Sequence, residues 1–126
     1  MNKNNLVIGI NSGTSFDGVD AALVEFKNGS FRFVKGVSFN YPKIVKEKLR
    51  KLINNNSNTS LKEISQLNFL LGEIFANAAL KLIKSAKLTT KDILLIGSHG
   101  QTIFHHPDIE TIGNYKIKST LQIGES

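Results

Sequence analysis

The sequence predicts an α/β fold, and three observations predict it. Residues 6–10 and 21–26 are apolar runs with the length and composition of strands. A long segment with helical periodicity occupies the middle of the chain. A continuous apolar run at 93–97 follows it, as expected for a strand buried on both faces. Strands therefore precede and follow the helices, which fits helices packed on a sheet.

The first three strands are predicted to form an antiparallel set. Residues 6–10 and 21–26 predict a hairpin pair, and 31–39 alternates well enough to predict a third strand. Asn28-Gly29 is a strong turn signal between the second and third strands. We therefore expect these strands to build one half of a sheet.

Two helices are predicted next. Pro42 stands where a first helical turn tolerates proline, and an apolar stripe continues until Asn54-Asn55-Asn56, which begins a predicted loop. Ser60 and Glu63 have the spacing of a capping box that opens the longer helix. We expect Gly72 to allow close helix packing rather than to bind a ligand. The apolar stripe predicted for the longer helix consists of Leu61, Ile64, Leu67, Leu71, Ile74, Ala78, Leu82 and Ile83.

The last third of the chain is predicted to return to strands. Residues 93–97 predict the buried strand, 108–118 a hairpin or excursion, and 120–123 one more strand. His105 and His106 are predicted to lie in a solvated turn before Pro107. Adjacent histidines do not share one face of a helix or strand, so we predict no metal site there.

The segment at 9–20, GINSGTSFDGVD, is a candidate phosphate-binding turn. Glycines let a ligand approach backbone N–H groups, and the hydroxyls of Ser12, Thr14 and Ser15 are suited to phosphate oxygens. Neither the P-loop pattern nor the Gly-x-Gly-x-x-Gly fingerprint is present. A strand, phosphate turn and strand in this order are typical of actin-like and sugar-kinase ATPases. The alternative is an ordinary hairpin turn rich in glycine, serine and aspartate.

A second polar cluster follows the predicted strand at 93–97. In open α/β sheets, ligands bind beyond the carboxyl ends of strands, so this cluster is well placed for a polar substrate such as a sugar. His99 taken alone is equally consistent with a histidine satisfied within a loop. Glu125 is either a substrate-contacting carboxylate or a loop residue. The cluster comprises Ser98, His99, Gly100, Gln101 and Thr102.

Three blocks resemble one known family. Residues 12–20, SGTSFDGVD, closely resemble the opening motif of anhydro-N-acetylmuramic acid kinases. Residues 98–103, SHGQTI, with His106-Pro107 after them, and residues 120–125, TLQIGE, resemble the next motifs in the same order. Asn11 departs from the family, which usually has methionine there. The resemblance covers essentially the whole chain, which we expect to be the opening part of such an enzyme.

The resemblance implies an α/β fold of the actin-like (ribonuclease H-like) type, one lobe of the kind found in sugar kinases, Hsp70 and actin. We expect residues 1–126 to be the N-terminal part of that fold, a single domain or a fragment of one, and the lobe to be incomplete. The implied activity is ATP-dependent hydrolytic opening of the 1,6-anhydro ring with phosphorylation at O6. The implied product is N-acetylmuramic acid 6-phosphate, formed during peptidoglycan recycling, and ATP and Mg²⁺ are the implied cofactors.

The resemblance also implies the roles of single residues. Asp17 and Asp20 orient the turn or reach Mg²⁺ through water, or else cap N–H groups of the turn. No catalytic residue is assigned, because the general base of the family belongs to a later motif that we expect beyond the chain end. The implied ATP- or phosphate-binding residues are Gly13, Thr14, Ser15, Phe16, Asp17, Gly18, Val19 and Asp20. The implied substrate-binding residues are Ser98, His99, Gly100, Gln101, Thr102 and Glu125.

The alternative function is a catalytically inactive remnant, or a phosphate- or sugar-binding module of the same fold. Another actin-like sugar kinase or an acetate-kinase relative would share the turn but would not explain the block at 98–102. The expected partners are ATP, the anhydro amino sugar, and the missing C-terminal part as a second chain or a second copy in a homodimer.

Composition narrows the remaining classes. The net charge is +6, but the lysines are spread over predicted helix faces, so we expect no nucleic-acid partner. The absence of cysteine excludes disulfides and thiolate metal sites. Residues 1–5 lack the apolar core of a secretory signal, and no run approaches membrane-spanning length, so we expect a cytoplasmic protein without a membrane partner.

Overall fold

The structure, a computed structural model, describes residues 5–54 and 58–125. It confirms the predicted α/β class: strands come first, two helices follow, and strands end the chain. The elements are β1 (Leu6–Asn11), β2 (Gly18–Lys27), β3 (Ser30–Asn40), α1 (Lys43–Asn54), α2 (Leu61–Ser85), a 3₁₀ turn (Thr90–Asp92), β4 (Ile93–Ser98), β5 (Gln101–Ile112) and β6 (Tyr115–Ile123).

Four strands form a mixed sheet in the order β3-β2-β1-β4. The β1–β2 and β2–β3 pairs are antiparallel, as predicted, and β4 runs parallel to β1. Asn28 and Gly29 both have positive φ angles, 52° and 76°, which is the conformation of the primed hairpin turn that an Asn-Gly pair favours. The predicted antiparallel set is therefore confirmed.

Helix α2 packs one apolar face against the core. The predicted capping box is present: the Ser60 hydroxyl accepts from the Glu63 N–H at 3.2 Å, and the Ser60 N–H donates to Glu63 Oε2 at 3.1 Å. The stripe begins later than predicted, because Leu61 is 84% exposed. Phe75, absent from the predicted stripe, is fully buried. The buried residues of α2 are Leu67, Leu71, Gly72, Phe75, Ala78, Ala79, Leu82 and Ile83.

Helix α1 begins directly after Pro42, whose carbonyl accepts the N–H groups of Val45 and Lys46. It buries Val45, Leu49 and Leu52. Its last residue is Asn54, in agreement with the prediction, whereas the rest of the predicted asparagine loop at 55–57 lies outside the described residues.

The prediction that β4 is buried on both faces is wrong for this chain. Leu94, Leu95 and Ile96 are 69%, 62% and 46% exposed. The strand lies at the end of the sheet order, and β5 pairs with β6 in a separate two-stranded sheet rather than with β4. Among the described residues, nothing therefore covers this apolar strand fully.

The β5–β6 hairpin corrects a second prediction. His105 and His106 lie within β5 rather than in a turn, and the strand runs on through Pro107. The pairing register shifts between His106 and Glu110, which creates the irregular stretch that a proline in a strand requires. His106 Nε2 lies 3.0 Å from Glu110 Oε1. Within the described ranges, no helix is long and apolar enough to cross a membrane.

Candidate functional site

The turn between β1 and β2 is a compact loop with an exposed outer side. The N–H of Phe16, whose φ is 57°, approaches the Gly13 carbonyl at 3.4 Å. The N–H of Tyr41 donates to the Asp17 carbonyl at 2.8 Å and so anchors the loop to the start of α1. Thr14 and Ser15 are exposed. The loop can therefore present their hydroxyls to a ligand without losing its internal bonds.

Not every hydroxyl of this segment is presented in that way. Ser12 is buried, and its Oγ donates to the Gly100 carbonyl at 2.9 Å. We expected the Ser12 hydroxyl to donate to phosphate. Because it already bonds to the Gly100 carbonyl, its role is structural.

The last three residues of the predicted turn belong to β2. Gly18 pairs with Asn40, and Asp20 pairs with Asn11. The Val19 side chain is 2% exposed and packs in the core, so it offers a ligand no side-chain surface. The loop proper is therefore shorter than predicted.

The two carboxylates of the segment have different surroundings. Asp20 accepts a hydrogen bond from the Ser38 hydroxyl at 2.5 Å. Asp17 lies 3.8 Å from Lys46 Nζ, and its side chain is 61% exposed. Both residues are exposed, but the Ser38 hydroxyl already bonds to Asp20 Oδ1, so Asp17 is the better candidate for a cation that accompanies a bound phosphate.

The second predicted cluster joins the end of β4 to the start of β5. The His99 N–H donates to the Ile10 carbonyl at 3.0 Å, and the Gly100 N–H donates to Ser98 Oγ at 3.2 Å. The His99 ring is exposed, with Nδ1 3.4 Å from the Gly100 carbonyl. This segment is thus fixed to the end of β1, beside the turn.

Gln101 joins the two clusters from inside the protein. Its Nε2 donates to the Gly13 carbonyl at 3.1 Å, and its Oε1 accepts the Tyr41 hydroxyl at 3.2 Å. The side chain is fully buried, which leaves it no surface for a substrate. Its position fits a residue that holds the turn, and the prediction that Gln101 contacts a substrate does not fit this burial.

Sequence reasoning missed Tyr41, which completes this buried network. Burial raises the pKa of its hydroxyl, and a hydrogen bond with Ser12 partly opposes that rise. The neutral phenol therefore belongs to the folded state at neutral pH. An aromatic residue before a proline gave no signal of such a role.

Glu125 is held against α2 by Asn68, which sequence reasoning also missed. The Asn68 side-chain oxygen accepts the N–H groups of Gly124 at 2.8 Å and of Glu125 at 3.1 Å, and its Nδ2 donates to Glu125 Oε2 at 2.9 Å. A Cβ on Gly72 would overlap the Glu125 carbonyl. The predicted close packing at Gly72 is therefore confirmed. The sequence signal for the role of Asn68 was a polar residue one turn before a glycine in the same helix.

A shallow cleft of about 300 Å³ lies where these segments meet. Its polar groups come from the ends of β4 and β6 and from one residue of α2. The turn, with its exposed hydroxyls, lies across the Ser12 and Gln101 hydrogen bonds from this cleft. The lining residues are Asn68, Ser98, His99, Gly100, Gln122, Ile123, Gly124 and Glu125.

Sequence comparisons with known proteins identify one family. Residues 5–126 match the sequence profile of the family described as anhydro-N-acetylmuramic acid kinase. The kinase of that name from Caldanaerobacter subterraneus subsp. tengcongensis is 52% identical over 125 residues, which are 95% of this chain and 31% of that protein. The kinase of that name from Vibrio vulnificus strain CMCP6 is 38% identical over 126 residues, 100% of this chain and 32% of that protein.

Similarity to solved structures is weaker. The Aquifex aeolicus member of the Ppx/GppA protein family aligns with a TM-score of 0.38 and 15% identity, over 75% of this chain and 25% of that one. The chain spans about a third of the length of the curated relatives that it matches, 31% and 32% for the two kinases.

Proposed function

Because the chain belongs to the anhydro-N-acetylmuramic acid kinase family, we propose that it supplies the phosphate-binding turn and part of the sugar cleft of such a kinase. Membership confirms the predicted resemblance and, with it, the actin-like α/β fold class. The proposed reaction consumes ATP and the anhydro amino sugar in the cytoplasm during peptidoglycan recycling.

One observation carries the proposal. Ser12 bonds to the Gly100 carbonyl, and Gln101 bonds to the Gly13 carbonyl, so the two segments hold each other across the ends of β1 and β4. A kinase must hold a phosphoryl donor and an acceptor in a fixed relation, because positioning supplies much of its rate. A rigid link between a turn rich in hydroxyls and a polar cleft meets that need.

The turn fits the phosphates of ATP. Thr14 and Ser15 are exposed donors, and a Cβ at Gly13 would meet only the Ser15 side chain and backbone, which leaves the backbone there open to a ligand. We assign phosphate contacts to residues 13–17. We assign Gly18 and Val19 to the strand that supports the turn.

The carboxylates also fit a Mg²⁺ that arrives with the nucleotide. Mg²⁺ keeps several waters and uses one or two carboxylates together with substrate phosphates. The exposed Asp17 is suited to that limited role, directly or through water, and Asp20 is assigned to orienting the turn through Ser38. Bound Mg²⁺ would neutralise charge on the transferred phosphoryl group.

The cleft is assigned to the sugar. Ser98, His99 and Glu125 line it and are exposed, and Gly100 contributes backbone. Thr102 Oγ1 accepts a hydrogen bond from Gln122 Nε2 at 3.2 Å. Because Gln122 lines the cleft and Thr102 does not, the Thr102 hydroxyl lies behind the cleft wall. Hydroxyl, imidazole and carboxylate groups together can bond the hydroxyls and amide of an amino sugar.

The reaction also needs a general base. Water attacks the anomeric carbon, the bond from that carbon to O6 breaks, and O6 attacks the γ-phosphorus, which releases ADP; the base takes the proton of the water. We assign that base to the two thirds of the kinase that this chain does not span. The cleft residues described above bind and orient, and none is proposed to remove this proton.

The test is ADP release with ATP, Mg²⁺ and anhydro-N-acetylmuramic acid. The chain is assayed alone and as a fusion in which it replaces the matching 31% of the Caldanaerobacter kinase. We expect ADP release, and formation of the 6-phosphate, only from the fusion. ADP release by the chain alone would contradict the assignment of the base. A folded fusion that releases no ADP would favour the inactive binding module.

Matched variants of the fusion test the turn. Thr14→Val removes an exposed hydroxyl from the turn, and Thr111→Val removes an exposed one from the β5–β6 hairpin. We expect the first to raise KM for ATP by about tenfold, the effect of one strong hydrogen bond. The second is expected to leave it unchanged. Equal KM values for both variants would place the phosphates elsewhere.

A further inference from the structure

A pocket of about 370 Å³ lies between α1 and α2. This volume is near the lower end of the range for small-molecule sites, about 300–1,000 Å³. The pocket shares no lining residue with the cleft assigned to the sugar, and no residue of the phosphate-binding turn lines it. A ligand bound between the two helices would therefore occupy a site separate from that of the proposed reaction.

The apolar part of the pocket is made of leucines. Leu52 of α1 and Leu67 of α2 are 5% and 4% exposed, so they belong to the core while their side chains also line the pocket. Leu70 is 40% exposed and adds an apolar wall. Among the described residues that line the pocket, none is aromatic, so ring stacking contributes nothing. These surfaces suit an aliphatic chain, whose burial is favourable in proportion to the apolar area removed from water.

The polar part of the pocket has one positive charge in excess. In the described lining, the charged residues are Lys48, Lys51 and Glu63. Hydrogen bonds from Ser60 lower the pKa of Glu63, and the charges of Lys51 and Lys48 lower it further, so both ammonium groups lie near this carboxylate. Two cations thus share one anion. A ligand with a single negative charge would balance the remainder.

Lys48 is the cation that a ligand can engage. Lys51 Nζ lies 3.9 Å from Glu63 Oε1, whereas Lys48 forms no ion pair in the part of the chain that the structure describes. Glu63 Oε2 is occupied by the cap of α2. The side-chain amides of Asn58 and Gln66, both exposed, also line the pocket and can donate to a carboxylate oxygen.

We propose that the α1–α2 pocket binds a small aliphatic carboxylate, with its chain against the leucines and its carboxylate on Lys48. A sugar or a free phosphate would leave the leucine surface unused, and a neutral lipid would leave the excess charge unbalanced. The proposal goes beyond the proposed function and does not depend on it, because the pocket and the sugar cleft have separate linings.

The experiment is a calorimetric titration with octanoate, which has one carboxylate and a straight aliphatic chain. For so small a ligand we expect a Kd of about 1 mM or lower. Lys48→Gln is expected to weaken octanoate binding by about tenfold, the effect of one charge-assisted hydrogen bond. Lys43→Gln is the control, because Lys43 lies at the start of α1, is 92% exposed and does not line the pocket. We expect it to change the Kd by less than about twofold.

A second pair of variants and a second probe test the apolar contact. Leu70→Asn is expected to weaken octanoate binding by about fivefold or more, whereas Leu80→Asn, at a 51% exposed position outside this pocket, is expected to leave it unchanged. Octanol has the same chain without the charge. We expect octanol to bind about tenfold more weakly than octanoate and to be insensitive to Lys48→Gln. Thermal unfolding checks that each variant folds like the unmodified chain.

The titrations use both the chain alone and the fusion with the unmatched part of the Caldanaerobacter kinase. Equal binding by the two proteins would support the proposal. Failure of both to bind octanoate at about 10 mM, or equal effects of Lys48→Gln and Lys43→Gln, would overturn it. Binding by the chain alone that is lost in the fusion would show that the rest of the kinase covers the pocket, and would also overturn it. ADP release by the fusion is a separate readout, so the proposed function and this site can fail independently.

Discussion

The buried side chain of Gln101 donates a hydrogen bond to the carbonyl of Gly13 over 3.1 Å, joining two residues that lie 88 positions apart in the sequence. The same side chain accepts the Tyr41 hydroxyl. Strand β5 therefore fixes the loop between β1 and β2 through an amide that no ligand can reach.

Replacing this amide should weaken the fold and loosen the turn. Gln101→Leu removes one hydrogen bond from the Gly13 carbonyl and one from the Tyr41 hydroxyl, and we expect a loss of about 1–3 kcal/mol in the free energy of unfolding. Urea denaturation measures the loss, and hydrogen exchange at the Phe16 N–H, which bonds to the Gly13 carbonyl, measures the loosening. Gln122→Leu is the control, because that amide bonds to hydroxyls on the hairpin and is only half-buried. Equal losses of unfolding free energy for the two variants would show that Gln101 contributes no more to stability than the half-buried amide of Gln122.

The close contact at Gly72 makes a prediction in which two effects oppose each other. Gly72→Ala raises helix propensity by about 1 kcal/mol. The new Cβ must displace the carbonyl of Glu125 and with it the hydrogen bonds from Gly124 and Glu125 to Asn68. Losing two such bonds costs about 2 kcal/mol, so we expect a net loss of about 1 kcal/mol by urea denaturation.

A double-mutant cycle decides between these effects. In an Asn68→Ala background the hydrogen bonds are already absent, so Gly72→Ala is expected to cost less or to stabilise. If Gly72→Ala stabilises the unmodified chain by the full helix propensity, the packing of residues 124–125 on α2 is not as described.

Local features of the fold were predictable because local chemistry decides them. The Asn28-Gly29 turn follows from two residues that accept positive φ, and the start of α2 follows from Ser60 and Glu63. The strands β1 to β3 follow from composition between turns. Each of these signals depends only on residues that are close together in the sequence.

The remaining features depend on neighbours that are distant in sequence. The run at 93–97 was correctly predicted as a strand, but its exposure depends on what lies beside β4. Gln101 was predicted to bind the substrate, but its side chain is buried, and its inward direction follows from the pairing at the start of β5. Residues 105–107 were misplaced in a turn because the register shift that accommodates Pro107 depends on β6.

The cap of α2 predicts a loss of stability in acid. Hydrogen bonds from the backbone N–H and hydroxyl of Ser60 hold the pKa of Glu63 below its ordinary value of 4.5. A lowered pKa in the folded state means that the carboxylate stabilises the fold above pH 4.5, and that this contribution disappears as the pH falls through the lowered value. Glu63→Gln keeps a capping side chain but cannot titrate.

Thermal unfolding between pH 3 and pH 7 measures this effect. We expect the wild-type chain to be more stable than Glu63→Gln near pH 6 and the difference to shrink towards pH 3. Glu73→Gln removes a carboxylate from the exposed side of the same helix without touching the cap, and it serves as the control. A difference that does not change with pH would show that the cap carries no titrating contribution.

The hydroxyl of Tyr41 predicts a complementary loss of stability in base. Burial raises its pKa above the ordinary value of 10.0, with the Ser12 hydroxyl opposing that rise. The neutral phenol therefore stabilises the fold fully below pH 10, and this contribution disappears as the pH rises through the raised value. Tyr41→Phe cannot ionise, but it lacks the bond to Gln101 and should lose about 1–2 kcal/mol of unfolding free energy at pH 7.

We expect this deficit in unfolding free energy, measured by urea unfolding at pH 7, 9 and 10.5, to narrow at the highest pH. Tyr115→Phe, at a 76% exposed position, corrects for general alkaline effects. A deficit that stays constant across this range would mean that the pKa of Tyr41 is the same in the folded and unfolded states, and that burial does not raise it.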